Sequence, residues 1–207
     1  MITASVYDLT DLEQRMAGIQ AAARFARRGR LVVFPVDHGY GIGTDAFSRE
    51  GVAALLRAKD RGRGAPVPLL IPRVETLEGL AAVGQTALAF AKTFWPGPLI
   101  LLAKPQPSLA WDLGAADPSA AIAVRMPLHP VALALLRLVG PMAVLSVDLA
   151  ALPQDASVVL TGGQIMSGTS TVLDVSQSTA DVVRLGDISL AQLQAVNPSV
   201  THHRPLD

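Results

Sequence analysis

The chain has 207 residues, half of them apolar and 16% charged; it contains no cysteine, and 17 lysines and arginines balance 17 aspartates and glutamates. That length suits one well-buried domain rather than two, and zero net charge removes the bulk attraction that a nucleic-acid or membrane-surface binder carries. Without cysteine there is no disulfide framework, thiolate nucleophile or cysteine–metal cluster to consider.

The N-terminus lacks the basic start and apolar run of a secretory signal. The most apolar stretch, Val131 to Leu152, is interrupted by Arg137, Gly140, Pro141 and Asp148 and fails as a bilayer span. The chain is therefore read as cytoplasmic, with no membrane partner. Thr10-Asp11-Leu12-Glu13 reads as a capping box. Leu12, Met16, Ile19, Ala23 and Ala26 follow at helical spacing until Arg27-Arg28-Gly29 closes the helix. Leu31 to Val36 reads as a buried strand ended by a turn at Asp37-His38-Gly39. Ser48 can cap a second helix with Val52, Leu55 and Leu56 on one face, carrying the chain to Lys59.

Arg61-Gly62-Arg63-Gly64-Ala65-Pro66 is predicted as loop. Val67 to Ile71 resumes as a strand, at an edge or bulge because of Pro68. Two short helices follow at Thr76–Ala82 and Gln85–Thr93, then a rigid turn at Trp95-Pro96-Gly97-Pro98 and a buried strand at Leu99–Ala103. Further strands are expected at Ala121–Met126, Met142–Val147, Val158–Leu160, Thr171–Val175 and Val182–Leu185. Pro130 to Val139 reads as a helix begun by proline and stopped by Gly140. Seven or eight strands with about five helices make a mixed α/β sheet in a single domain over residues 1–198. Pro105 to Pro118 is expected to be a mobile loop, and residues 199–207 a flexible tail.

Several groups can carry chemistry. Gly39, Gly41 and Gly43 lack the spacing of a dinucleotide or Walker loop; they read equally as a tight turn or as a backbone cradle, with Tyr40 stacking or packing between them. Lys59, Arg61 and Arg63 are cations among glycines, an arrangement that suits phosphate but also a plain solvated loop. The hydroxyls of Ser167 to Thr171 suit anion capture or a hairpin. Ser146 and Asp148 share a side at a strand end and can meet one ligand or one hydrated metal, or supply ordinary turn polarity. No nucleophile elbow or triad spacing supports serine hydrolysis. His38 is a candidate base or a structural histidine, His129 a helix start, and His202-His203 a poor metal site.

Taken in order, Phe34-Pro35-Val36-Asp37-His38-Gly39-Tyr40-Gly41-Ile42, Lys59-Asp60-Arg61, Trp95-Pro96-Gly97-Pro98-Leu99, Ala123-Val124-Arg125-Met126-Pro127, Ser146-Val147-Asp148 and Ser170-Thr171-Val172-Leu173-Asp174 resemble the YrdC-like threonylcarbamoyl-AMP synthase family, from about Gly29 to Leu190. The resemblance implies a twisted α/β sheet with flanking helices and a concave, positively charged surface. It implies condensation of L-threonine, bicarbonate and ATP, assisted by magnesium, into threonylcarbamoyl-AMP and pyrophosphate for a tRNA modification. By motif, Lys59 and Arg61 would be catalytic and hold the nucleotide phosphates with Ser146, Asp148 and Ser170. Val36, Tyr40, Leu70 and Arg125 would line the substrate pocket, and Asp148 would be the metal ligand. The family usually has threonine at Val36, histidine at Leu70, asparagine at Asp148, and proline or an acidic residue near Thr169. The alternative is a relative that binds nucleotide or RNA without turnover.

Overall fold

The computed structural model describes residues 4–62, 64, 66–109 and 111–202; Arg63, His203 and the expected tail beyond residue 202 lie outside them. In chain order the elements are β1 (Ser5–Asp8), α1 (Leu12–Ala26), β2 (Leu31–Val36), β3 (Gly39–Asp45), α2 (Arg49–Ala58), β4 (Leu69–Leu70), α3 (Thr76–Leu80) and α4 (Gln85–Phe94). There follow β5 (Leu99–Ala103), β6 (Ile122–Arg125), α5 (Pro130–Val139), β7 (Met142–Val147), β8 (Ala156–Thr161), β9 (Thr171–Asp174), β10 (Asp181–Arg184) and α6 (Leu190–Val196). The strands form one mixed sheet in the order β1-β8-β2-β3-β7-β4-β6-β5-β9-β10.

Asp11 caps α1 by accepting the Gln14 N–H at 2.8 Å, while Thr10, expected in a capping box, donates its hydroxyl to Asp8. The helix closes through Gly29, at φ +70°, with the Arg30 N–H on the Phe25 carbonyl at 3.0 Å, a left-handed ending that glycine adopts without steric penalty. Its buried stripe is Gly18, Ala21, Ala22, Ala23 and Ala26. A Cβ at Gly18 would stand 2.8 Å from Tyr7, so small residues set the contact with the sheet. Leu12 and Met16, read as part of that face, are 64% and 65% exposed.

Of the glycines after β2, Gly39 closes the Asp37-His38 turn at φ +137°, as the turn reading expected, whereas Gly41 and Gly43 lie within a central strand. β3 pairs antiparallel with β2 and with β7. A Cβ at Gly41 would lie 2.6 Å from Val144 Cγ1, and one at Gly43 would lie 2.7 Å from the Ala143 carbonyl oxygen, so these glycines admit close packing. β4 is a two-residue strand between β7 and β6, not an edge; the Pro68 carbonyl accepts the Val144 N–H at 2.9 Å. β1 and α6 were not anticipated. The first is only four residues long, and the second begins at Ser189 with a reciprocal capping box to Gln192.

Two apolar layers flank the sheet. Leu31, Val33, Ile42, Leu69, Val124, Leu99, Leu101 and Leu173 face one layer with α2, α3 and α4. Val32, Phe34, Leu70, Met142, Val144 and Val158 face the other, under α1 and α5. The 105–118 segment is tied down rather than loose: Gln106 donates to the Leu80 carbonyl, the Leu113 carbonyl accepts from Val67, and Gly64 bridges Ala115. Nor does the chain fray at Ser199, since Val200 is buried and Thr201 pairs with Asp181. No helix among the described residues is long and apolar enough to cross a membrane.

Candidate functional site

β7 pairs with β3 along its whole length but with β4 only at Met142 and Ala143. The sheet therefore parts beside the C-terminal end of β7. Strand alternation decides which way each predicted site residue faces. Val36 and Leu70 pack with the α1–α5 layer. Leu70 is in register with Arg125 across β4 and β6, and Ser146 follows Val144 on the same face of β7. Val36, Leu70, Arg125, Ser146 and Ser170 thus share one face. Tyr40 does not join them: its ring packs against the other layer, and its hydroxyl donates to the Gly162 carbonyl at 3.2 Å.

The centre of this face is a largely buried ion pair, with side-chain exposures of 12% for Arg125 and 0% for Asp37. Arg125 donates Nε–H to the Gly97 carbonyl at 3.0 Å, Nη1–H to Ser170 Oγ at 2.7 Å and Nη2–H to Asp37 Oδ2. One further N–H remains on each of Nη1 and Nη2. Asp37, 1% exposed, occupies the two-residue turn between β2 and β3. It accepts the Leu128 N–H at 3.1 Å and the His129 N–H at 2.6 Å, placing a carboxylate where the start of α5 favours negative charge. Burial pushes the Arg125 pKa down; the charges of Asp37 and Asp187 oppose it, and a guanidinium remains charged.

His129 caps α5 with Nδ1, accepting the Val131 N–H at 3.3 Å, as its place before Pro130 predicted. Burial lowers its pKa, offset in part by Asp37 and the Gln164 backbone. His38 Nε2 lies 3.0 Å from Asp187 Oδ2 but out of line for a hydrogen bond. Asp187 also accepts the Thr169 N–H at 3.0 Å, and the Ser170 carbonyl accepts from Arg184 at 3.0 Å. The 167–171 loop, read as either an anion site or a hairpin, spends much of its hydrogen bonding on the Arg184–Ile188 segment. Ser170 Oγ is the exception, being turned to Arg125.

Lys59 and Arg61 stand at the C-terminal end of α2, which runs back from Ser48, beside Gly29, in the opposite helix layer. The helix ends with Arg61 N–H on the Leu56 carbonyl at 2.8 Å and Asp60 N–H on the Arg57 carbonyl at 3.0 Å. Asp60 takes the left-handed position, φ +47°. Asp148 is exposed and caps the short turn Leu149–Ala151, its Oδ1 accepting the Ala150 N–H at 3.0 Å. Among the described residues no cluster of three metal-ligating side chains occurs.

Sequence reasoning missed Asp37, Gly97, Arg184 and Asp187. For Asp37 a signal existed, because Arg125 ends an otherwise apolar strand and a buried cation requires a nearby counter-ion. Two unspent guanidinium N–H groups beside a serine hydroxyl and apolar neighbours suit the carboxylate of a small organic acid.

The model of a family described as telomere recombination, comprising the Sua5, YciO and YrdC proteins, matches residues 24–186, and the chain belongs to that family. It is 41% identical over 206 residues to a Mycobacterium leprae protein named "Putative threonylcarbamoyl-AMP synthase", covering 92% of this chain and 93% of that one. It is 33% identical to the Pyrococcus abyssi threonylcarbamoyl-AMP synthase, covering 89% of this chain and 58% of that one. A structure of P. abyssi Sua5 complexed with L-threonine superposes with a TM-score of 0.82 at 27% identity over 97% of this chain, which spans 62% of the archaeal chain. Escherichia coli YciO, at 22% identity, shares the fold with a TM-score of 0.78 over 93% of this chain and 100% of its own.

Proposed function

We propose that this chain is a threonylcarbamoyl-AMP synthase acting in tRNA modification. The observation that carries the reading is Arg125, held by three protein partners with two N–H groups unspent, in a chain related over nearly its whole length to proteins of that name. The L-threonine complex of P. abyssi Sua5 supports it.

Threonine's amine attacks bicarbonate and water leaves, giving a carbamate. A carbamate oxygen then attacks the α-phosphorus of ATP, and the bond to pyrophosphate breaks. No covalent protein group is required; charge neutralisation and alignment carry the step. Arg125 takes the threonine carboxylate, with Leu70 and Val36 as the apolar wall beside it. Lys59 and Arg61 neutralise phosphate charge, and Ser146 and Ser170 supply hydroxyls. Asp148 keeps Oδ2 uncommitted by its cap, which fits a magnesium ion held chiefly by phosphate and water. Bound there, magnesium would supply charge neutralisation on the phosphates. RNA enters as the acceptor of the product in a later reaction, consistent with a net charge of zero.

Pyrophosphate release with ATP, bicarbonate and L-threonine tests the reading. Wild type should turn over and Lys59→Ala should lose at least about tenfold in kcat/KM, the scale of one lost charge contact to phosphate. A wild type without release, or a Lys59→Ala variant matching it, overturns the assignment.

A further inference from the structure

We propose that Asp37 is the positioning residue of the substrate site, fixing the plane and direction of the Arg125 guanidinium. The proposal rests on the reading of Arg125 as the group that takes the threonine carboxylate. Asp37 is 1% exposed, and both of its carboxylate oxygens are already engaged by Leu128, His129 and Arg125, so it acts through Arg125. Its carboxylate is immobilised before Arg125 reaches it: Oδ1 holds the His129 N–H, Oδ2 holds the Leu128 N–H, and the Asp37 carbonyl accepts the Met166 N–H at 2.8 Å. A carboxylate pinned by the start of α5 and by the β2–β3 turn gives the guanidinium a fixed anchor. Gly97 and Ser170 supply the other two points, so three separate segments define one plane. The remaining N–H groups are thereby aimed, because the fork is rigid.

An arginine aimed this way binds its ligand equally in ground and transition states, so loss of aim should appear in KM for that ligand and little in kcat. Asp37→Asn keeps an oxygen for the His129 N–H while setting an amide N–H, or a neutral oxygen, against Arg125. Steady-state pyrophosphate release and calorimetric titration of L-threonine read the effect. The KM and Kd for L-threonine should rise at least about tenfold, with the KM for ATP and kcat each staying within about threefold of wild type. Asp11→Ala, which removes the α1 cap outside the site, controls for general loss of stability and should move neither KM. Asp37→Glu, which keeps the charge but displaces it, carries the same expectation should the asparagine variant not fold.

A threonine KM that stays within about threefold in the folded variants overturns the proposal, as does a parallel loss in both KM values and kcat that tracks melting temperature as in Asp11→Ala. Wild type that binds L-threonine yet releases no pyrophosphate refutes the synthase reading while leaving Asp37 testable by Kd. Wild type that binds none overturns both.

Discussion

Arg125 and Lys59 are both cations at the ends of regular elements, and the fold treats them in opposite ways. Arg125 keeps only 12% of its side chain exposed, and each of its nitrogens meets an acceptor from a different segment. Lys59 is half-buried, caps α2 beside a non-glycine residue in left-handed conformation, and has no ion-pair partner among the described residues. One cation is part of the architecture and the other is only placed by it. The fold can therefore set the geometry of an anion at Arg125 before any ligand arrives, whereas Lys59 adds charge whose position a ligand must still organise.

The contrast breaks first at Arg125. Arg125→Ala would strand the Asp37 carboxylate in the interior with only two backbone N–H groups, and removal of one partner from a buried pair costs about 3 kcal/mol or more. Urea unfolding should show that loss as a lower midpoint. A variant as stable as wild type would mean that the start of α5 alone satisfies Asp37, and that the pair contributes nothing to the fold.

Most elements were legible because their signals are local. Pro130 and Gly140 bracket α5 as read, and the apolar runs of β2, β5 and β7 fall where branched residues cluster. The failures came where tertiary packing overrides local chemistry. Gly41 and Gly43, read as turn or cradle, lie within β3, packed closely against Val144 and Ala143. Pro68 suggested an edge or a bulge, yet β4 is internal, since Pro68 precedes Leu69 and removes no donor from the ladder. Within the site, Ser170 and Arg125 were both picked out and are in contact. Asp37 was read only as part of the turn after β2, because the ninety residues between it and the segment it holds hide the pairing from any local pattern.

At the Lys59 end the expected effects are smaller. Asp60 occupies a left-handed position that glycine adopts more cheaply. Asp60→Gly should therefore stabilise the chain by about 0.5–1 kcal/mol, less the entropy that glycine adds to the unfolded state, visible as a modest rise in melting temperature. No rise would mean that the aspartate side chain itself supports the α2 cap. Lys59→Ala should change stability by less than about 0.5 kcal/mol; a larger loss would place Lys59 with Arg125 as a structural cation and erase the contrast.

The gentlest test lies between the two, at His129. Burial holds its imidazole pKa below the ordinary value, more than Asp37 and the Gln164 backbone raise it. In the unfolded chain the ring titrates near about pH 6.5, so as pH falls through that range the unfolded state takes up more protons than the folded one. The stability contributed by neutral His129 is thus present above that pH and is lost as pH falls through it. His129→Asn retains a side-chain acceptor for the first turn of α5 and should flatten the acid side of a plot of urea midpoint against pH. An unchanged slope would assign the acid sensitivity to other groups. A steeper one would mean that the imidazolium is favoured in the fold, with Asp37 as its counter-ion, and that Asp37 serves two cations rather than Arg125 alone.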